Sequence, residues 1–198
     1  MRFGFSLLLV CVTAIACAGA PALPRNYYLM RATASEGVSR VQAPVTITLE
    51  NVNVAPYLSD QGLVLEIAAN QVQSARQHLW AEPLDESLQI YLRTQISNQL
   101  GYEISTNVSP ESALGYGVNV SIEQLHGTLS GAARLVASWR ITLGGDAAEL
   151  AAFRFARTRP LTQDGYPALA NAEVALVGEL AIAIADSLGE VGIPSTKP

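Results

Sequence analysis

A single thiol near the N-terminus carries the clearest chemistry in this sequence. Cys17 follows Arg2, an apolar run and the small residues Ala14 and Ala16, an order typical of a bacterial signal peptide and its cleavage site. A cysteine at the first mature position receives a diacylglycerol on its sulfur, and its new amine is acylated after cleavage. Residues 14–17 resemble such a lipobox, with alanine in place of the more usual leucine at position 14. We predict that Cys17 is lipidated and anchors the mature chain.

Two other fates of this segment stay open, a secreted protein cut after Ala16 or Ala18 and an uncleaved anchor. The apolar run is shorter than the ~20 residues of a spanning helix, and we predict that no later segment is long and apolar enough to span a bilayer. Ala18 after the cysteine, where aspartate would signal retention in the inner membrane, favours the outer membrane, facing the periplasm. The predicted organisation is a signal peptide over 1–16, a lipidated N-terminus and tether over 17–26, and one domain over 27–198.

The remaining residues give little sign of catalysis. The two histidines, His78 and His126, lie far apart in the sequence, without metal-ligand spacing or a Gly-x-Ser-x-Gly elbow to support a nucleophile. Loss of Cys11 with the signal leaves Cys17 as the only mature thiol, so no disulfide is expected. Removal of Arg2 leaves 11 basic against 17 acidic residues, a net charge of −6 that disfavours nucleic acid. We predict no enzyme activity, no metal and no cofactor.

Periodic apolar residues predict the elements of one α+β domain. A two-residue period indicates strands over 27–30, 45–54 (with a phase slip between Leu49 and Val52), 63–69 and 71–78, with Asn70 in a turn. A meander of three strands follows around 118–123, 134–143 and 151–155. Together with two helices, these strands predict a mixed, mostly antiparallel sheet in a two-layer fold.

The two helices are predicted from apolar stripes of helical period. The first begins at Glu82-Pro83, where proline suits the first helical position, and ends at Gly101. Its stripe is Leu84, Leu88, Tyr91, Leu92, Ile96 and Leu100. The second runs over about 169–188, and its stripe is Leu169, Leu176, Val177, Leu180, Ile184 and Leu188. Its opposite face is polar except for Ile182, and a partner contact is left open for Ile182 and for the loop tip over 128–130.

A constellation of short motifs carries a family resemblance. In chain order the motifs are Tyr27-Tyr28-Leu29, Pro56-Tyr57-Leu58, Trp80-Ala81-Glu82-Pro83-Leu84 and Leu135-x-Ala137-x-Trp139. This order, after a lipobox, resembles the ABC-type transport auxiliary lipoprotein family over nearly all of the mature chain. The block over 80–84 is the most specific of the four.

The block over 80–84 has a structural and a functional interpretation. In the structural one, Trp80 anchors the strand-to-helix corner, Glu82 accepts hydrogen bonds from the first-turn N–H groups, and Pro83 fixes the entry angle of the helix before Leu84. In the functional one, Trp80 and Glu82 belong to a docking surface for another subunit. Tyr57 also has two interpretations, as a turn residue that packs on the sheet or as a residue that contacts the substrate.

The resemblance implies a role in an intermembrane lipid transport system that supports membrane integrity. The expected partners are a periplasmic protein built from MCE domains, which the lipoprotein would dock at the outer membrane, and inner-membrane transport subunits. Self-association is also open. The alternatives are a free-standing lipid-binding lipoprotein and a purely structural envelope lipoprotein.

Overall fold

Seven strands and two α-helices make up the part of the chain that the structure describes. The computed structural model describes residues 23–32, 45–106, 115–144 and 148–195. The strands are β1 (Asn26–Tyr28), β2 (Ile47–Val54), β3 (Gly62–Ala68), β4 (Gln71–Trp80), β5 (Tyr116–Gly127), β6 (Ala132–Leu143) and β7 (Ala148–Pro160). Helix α1 (Leu84–Leu100) follows β4 and helix α2 (Tyr166–Glu190) follows β7. A 3₁₀ turn, Pro56–Leu58, lies between β2 and β3.

The strands form one mixed sheet. Its order is β1-β4-β3-β5-β6-β7, and β2 pairs separately with β5. The pairs β3–β4, β5–β6 and β6–β7 are antiparallel, whereas β1–β4 and β2–β5 are parallel. β3 pairs with β5 at the Leu65–Gly127 bridge, so β2 and β3 share one edge of the long strand β5. The predicted α+β fold with a mostly antiparallel sheet is confirmed, and the phase slip in β2 is the register shift between Leu49 and Asn51.

Helix α1 buries the predicted stripe and ends where the sequence indicated. All six stripe residues are buried, and Gly101 closes the helix with φ of 80°, which glycine adopts without steric cost. The expected place of Pro83 was one residue wrong. Pro83 is the residue that precedes the helix, with an extended ψ of 134°, so it directs the chain into α1 from outside.

Helix α2 is longer than predicted, and it is a core helix. We predicted that no mature segment is long and apolar enough to span a bilayer, and this prediction was wrong. The helix has 25 residues, and an 18-residue window within it has a mean hydropathy of 1.7. In the fold 61% of that window is buried. The helix packs against α1 and the sheet strands β5, β6 and β7. The buried apolar side chains of α2 therefore belong to the core that this helix forms with the sheet and with α1.

A buried hydrogen bond fixes α2 to the sheet. The indole Nε1–H of Trp139 on β6 donates to the hydroxyl of Ser187 over 2.9 Å, and that hydroxyl donates to the carbonyl of Ile184 over 2.7 Å. Trp139 also stacks on Phe153 of β7, with ring centroids 5.4 Å apart. Both partners of the Trp139–Ser187 bond are buried, so the bond satisfies groups that water does not reach.

One carboxyl group of α2 lies inside the core. Glu173 is 1% exposed, and its Oε1 atom has no hydrogen-bond partner. Burial disfavours the charged form and raises the pKa of this carboxyl to about 8. Glu173 is therefore mostly protonated in the folded protein at neutral pH. It lies four residues after Leu169 and three before Leu176, so helical spacing already placed it on the buried face.

We expect Ser187→Ala to lower the free energy of unfolding by about 1–3 kcal/mol, because the Trp139 N–H stays buried and loses its acceptor. Urea denaturation of the variant and the wild type measures this loss. Ser121→Ala is the matched control, since Ser121 is exposed on β5, and its effect should stay within about 0.5 kcal/mol. Equal effects of the two substitutions would contradict this role of the bond.

Glu173 should make the fold less stable as pH rises. Because the pKa of Glu173 is raised on folding, its contribution is fully present below about pH 4.5 and is lost towards pH 8, at up to about 1.4 kcal/mol per pH unit. Urea denaturation from pH 5 to pH 8 should show this decline in the wild type and a much flatter profile in Glu173→Gln. The control Asp186→Asn changes an exposed carboxylate on the same helix and should keep the decline. A decline that persists in Glu173→Gln would assign it to another group.

Candidate functional site

The residues singled out by sequence lie on different elements and do not form one pocket. Cys17 lies outside the described residues, so its lipidation stays a prediction. Trp80, Glu82, Pro83 and Leu84 form the corner between β4 and α1. Tyr57 belongs to the 3₁₀ turn, and Ile182 lies on α2.

The corner between β4 and α1 is held by buried apolar side chains and backbone bonds. Trp80 is 3% exposed and Leu84 is 5% exposed. The Trp80 N–H donates to the carbonyl of Gln61 over 2.7 Å, and the Ala81 N–H donates to the carbonyl of Tyr28 over 2.8 Å. The Trp80 and Leu84 side chains are part of the core. A docking surface at this corner would therefore have to use other groups.

Glu82 joins the segment after β1 to the start of α1. Its Oε1 accepts a hydrogen bond in an ion pair with the Arg31 guanidinium, and its Oε2 accepts from the Ser87 hydroxyl over 3.3 Å. The first-turn N–H groups were predicted to donate to Glu82, but the carboxylate instead accepts from the Arg31 guanidinium and the Ser87 hydroxyl. Arg31 holds the pKa of Glu82 below its usual value. Sequence reasoning missed Arg31, which is 51 residues away and belongs to no motif.

Tyr57 packs against the C-terminal end of β5. Its hydroxyl accepts a hydrogen bond from the Leu125 N–H over 3.4 Å, and its ring meets the His126 ring edge-on at 6.1 Å. Burial raises the pKa of Tyr57, and nearby Glu173 raises it further. These contacts give Tyr57 a packing role on the sheet, in line with the structural interpretation of the motif.

Ile182 lies beside an open groove between α2 and β7. The isoleucine is 44% exposed, and the groove encloses about 360 Å³. Its lining combines aromatic, cationic and acidic side chains: Trp139, Phe155, Arg154, Arg157, Glu179 and Asp186. Arg154 is paired with Glu123 at 2.7 Å, and the Arg157 guanidinium lies over the Phe155 ring at 5.6 Å. The surface is therefore amphipathic and accessible.

Both histidines have structural partners. The Tyr28 hydroxyl and His78 Nδ1 are 2.8 Å apart, and the His78 ring stacks on Tyr166 at 4.2 Å. His126 Nδ1 lies 3.1 Å from the Gly127 carbonyl oxygen. Within the described ranges, no group of three or more His, Cys, Asp and Glu side chains is placed to hold a metal ion. The described contacts of the two histidines are therefore with tyrosine side chains and with one backbone carbonyl.

Solved structures share this fold. A crystal structure of an uncharacterized protein superposes with a TM-score of 0.72 and 22% identity, and the match covers 84% of this chain and 99% of that one. The protein XCC0632 from Xanthomonas campestris superposes with a TM-score of 0.67 and 14% identity, over 84% and 96% of the two chains. At these identities the likeness concerns the fold.

Comparison of the sequence with known proteins identifies relatives and a family. The chain is 26% identical over 184 residues to the intermembrane transport lipoprotein PqiC of Escherichia coli (strain K12), which covers 91% of this chain and 96% of the relative. The Shigella flexneri protein of the same name matches to the same extent. The profile of the ABC-type transport auxiliary lipoprotein component family matches residues 27–185, from β1 to the last turns of α2. The chain belongs to the ABC-type transport auxiliary lipoprotein component family.

Proposed function

We propose that this protein is an outer-membrane lipoprotein subunit of an intermembrane lipid transport system. The observation that carries the proposal is the similarity over 91% of the chain to a relative named as an intermembrane transport lipoprotein. The lipobox that ends at Cys17 supports it from the sequence. In this role the acylated cysteine holds the domain at the periplasmic leaflet of the outer membrane.

The domain would act by docking the periplasmic MCE-domain subunit of the system. A lipid tether confines the domain to one membrane, and the resulting effective concentration lets a weak contact secure a long assembly. The α2–β7 groove beside Ile182 is our candidate for this contact. Its lining combines the exposed Ile182, the buried rings of Trp139 and Phe155, and charged side chains.

A pull-down from native membranes tests the docking role. Tagged wild-type protein, captured after mild cross-linking, should bring down an MCE-domain protein identified by mass spectrometry. Cys17→Ala should reduce the recovery by about tenfold or more, because the contact loses its effective concentration. Ile182→Arg should also reduce it while Cys17 and the membrane anchor stay intact. Asn171→Arg is the matched control, since Asn171 is exposed on α2 outside the groove lining.

Three results would count against parts of this proposal. If the tagged wild-type protein captures only further copies of itself, the docking role is contradicted. Bound lipid without protein partners would support a free-standing lipid carrier. Equal recovery by Ile182→Arg and Asn171→Arg would leave the docking role in place and exclude the groove as its surface.

A further inference from the structure

Two hairpins project from the same end of the sheet and expose apolar side chains there. The Leu65–Gly127 bridge aligns β3 and β5 in parallel, and Ile67 and Leu129 each lie two residues beyond it. Leu129 is 62% exposed, and Ile67 and Val72 are each 43% exposed. We call the end formed by Ile67, Val72 and Leu129 the hairpin tip surface. Exposed apolar side chains that share one end of a sheet make that end a candidate interaction surface.

Ordered turns present these side chains. Asn70 adopts φ of 61° in the turn between β3 and β4, and Gly131 adopts φ of 72° between β5 and β6. The Thr128 N–H donates to the Ala132 carbonyl over 2.7 Å, and the Thr128 hydroxyl lies 2.9 Å from the Ser130 hydroxyl. Leu129 therefore stands at the head of a hydrogen-bonded turn and faces outwards.

The path of β1 brings the N-terminal tether from this same end. β1 runs parallel to β4, with Asn26 opposite His78, and β4 starts at Gln71 beside the tip. The chain before Asn26 therefore approaches β1 from the tip side. Eight residues lie between Cys17 and Asn26, and the nine Cα–Cα steps span at most about 30 Å. The tip lies about 20 Å from the level of β1, judged by the rise along β3 from Gly62 to Ala68.

A basic side chain flanks the hairpin tip surface. Arg134 is exposed near this end of β6, and it forms no ion pair with another described residue. Guanidinium groups suit the phosphates of lipid headgroups. Glu66, opposite Val72, offsets part of this charge, so apolar insertion would contribute more than electrostatics.

We propose that the hairpin tip surface lies against the bilayer that holds the acylated Cys17, with Leu129 and Ile67 inserted at the headgroup level. The inference rests on the anchor in the proposed function and adds the orientation of the domain. The tether is long enough to let the tip reach the bilayer and short enough to keep it near. Because the anchor already holds the domain there, weak insertion is sufficient to orient it. The opposite end of β5, at Tyr116, then points into the periplasm.

Fluorescence quenching in vesicles tests this orientation. Full-length lipidated protein is labelled with an environment-sensitive NBD dye at Leu129→Cys, and at Leu150→Cys on β7 as the control. Leu150 is 43% exposed and lies towards the opposite end of the sheet. Acylation blocks Cys17, so the dye reacts only with the introduced thiol. In phosphatidylethanolamine–phosphatidylglycerol vesicles with nitroxide-labelled lipid, we expect several-fold stronger quenching and a blue-shifted emission at position 129.

Each alternative outcome has its own signature. Equal quenching at the two positions in protein that floats with the vesicles would overturn the orientation and keep the anchor. A blue shift at position 129 without lipid quenching would assign the tip to a protein contact, with a second copy or a partner. Protein that does not float with the vesicles would overturn the anchor, and with it the proposed localisation and this inference. Leu129→Asp should float normally and reduce quenching of a dye at Ile67→Cys.

Discussion

The burial of α2 is the constraint on which the rest of the structure depends. This helix is apolar enough to span a membrane by composition, so it is stable in water only when it is covered. It packs on β6 and β7 on one side and on α1 on another, with Trp139 and Ser187 joined at the contact. One face of the sheet is consequently filled. The remaining surfaces include the opposite face of the sheet, the strand ends, the outer edge of β7 and the exposed faces of the two helices.

Those remaining surfaces suit a tethered adaptor. The histidines and Tyr57 pack within the domain. Glu82 links the segment after β1 to the start of α1 through its ion pair with Arg31. The exposed features lie elsewhere: the hairpin tip surface at one end, and the amphipathic groove beside Ile182. In the proposed role, the function of the domain depends on the membrane that holds it and on the partner that it contacts. The family membership and the lipobox lead to the same interpretation.

Local sequence patterns were sufficient to predict the helices, strands and turns. They were insufficient to predict which distant segments pair with one another. Helical stripes gave α1 and α2, Asn70 gave a turn, and Gly101 gave a helix end, because these depend on neighbours within a few residues. The parallel pairing of β1 with β4, and the Arg31–Glu82 pair, join segments about 50 residues apart, and no local pattern encodes them. Glu173 was detectable by its spacing, but acidic residues are expected in water. Its burial reflects the close cover that α2 receives.

The central claim is that a folded adaptor is tethered to the membrane by lipid on its first mature residue. Intact-mass and fragmentation mass spectrometry of the protein extracted from membranes tests this claim most directly. The account predicts a mature chain that begins at Cys17 and carries a diacylglycerol on sulfur and a third acyl chain on the amine. A chain that begins at Ala18, or one that retains residues 1–16 with an unmodified Cys17, would contradict it.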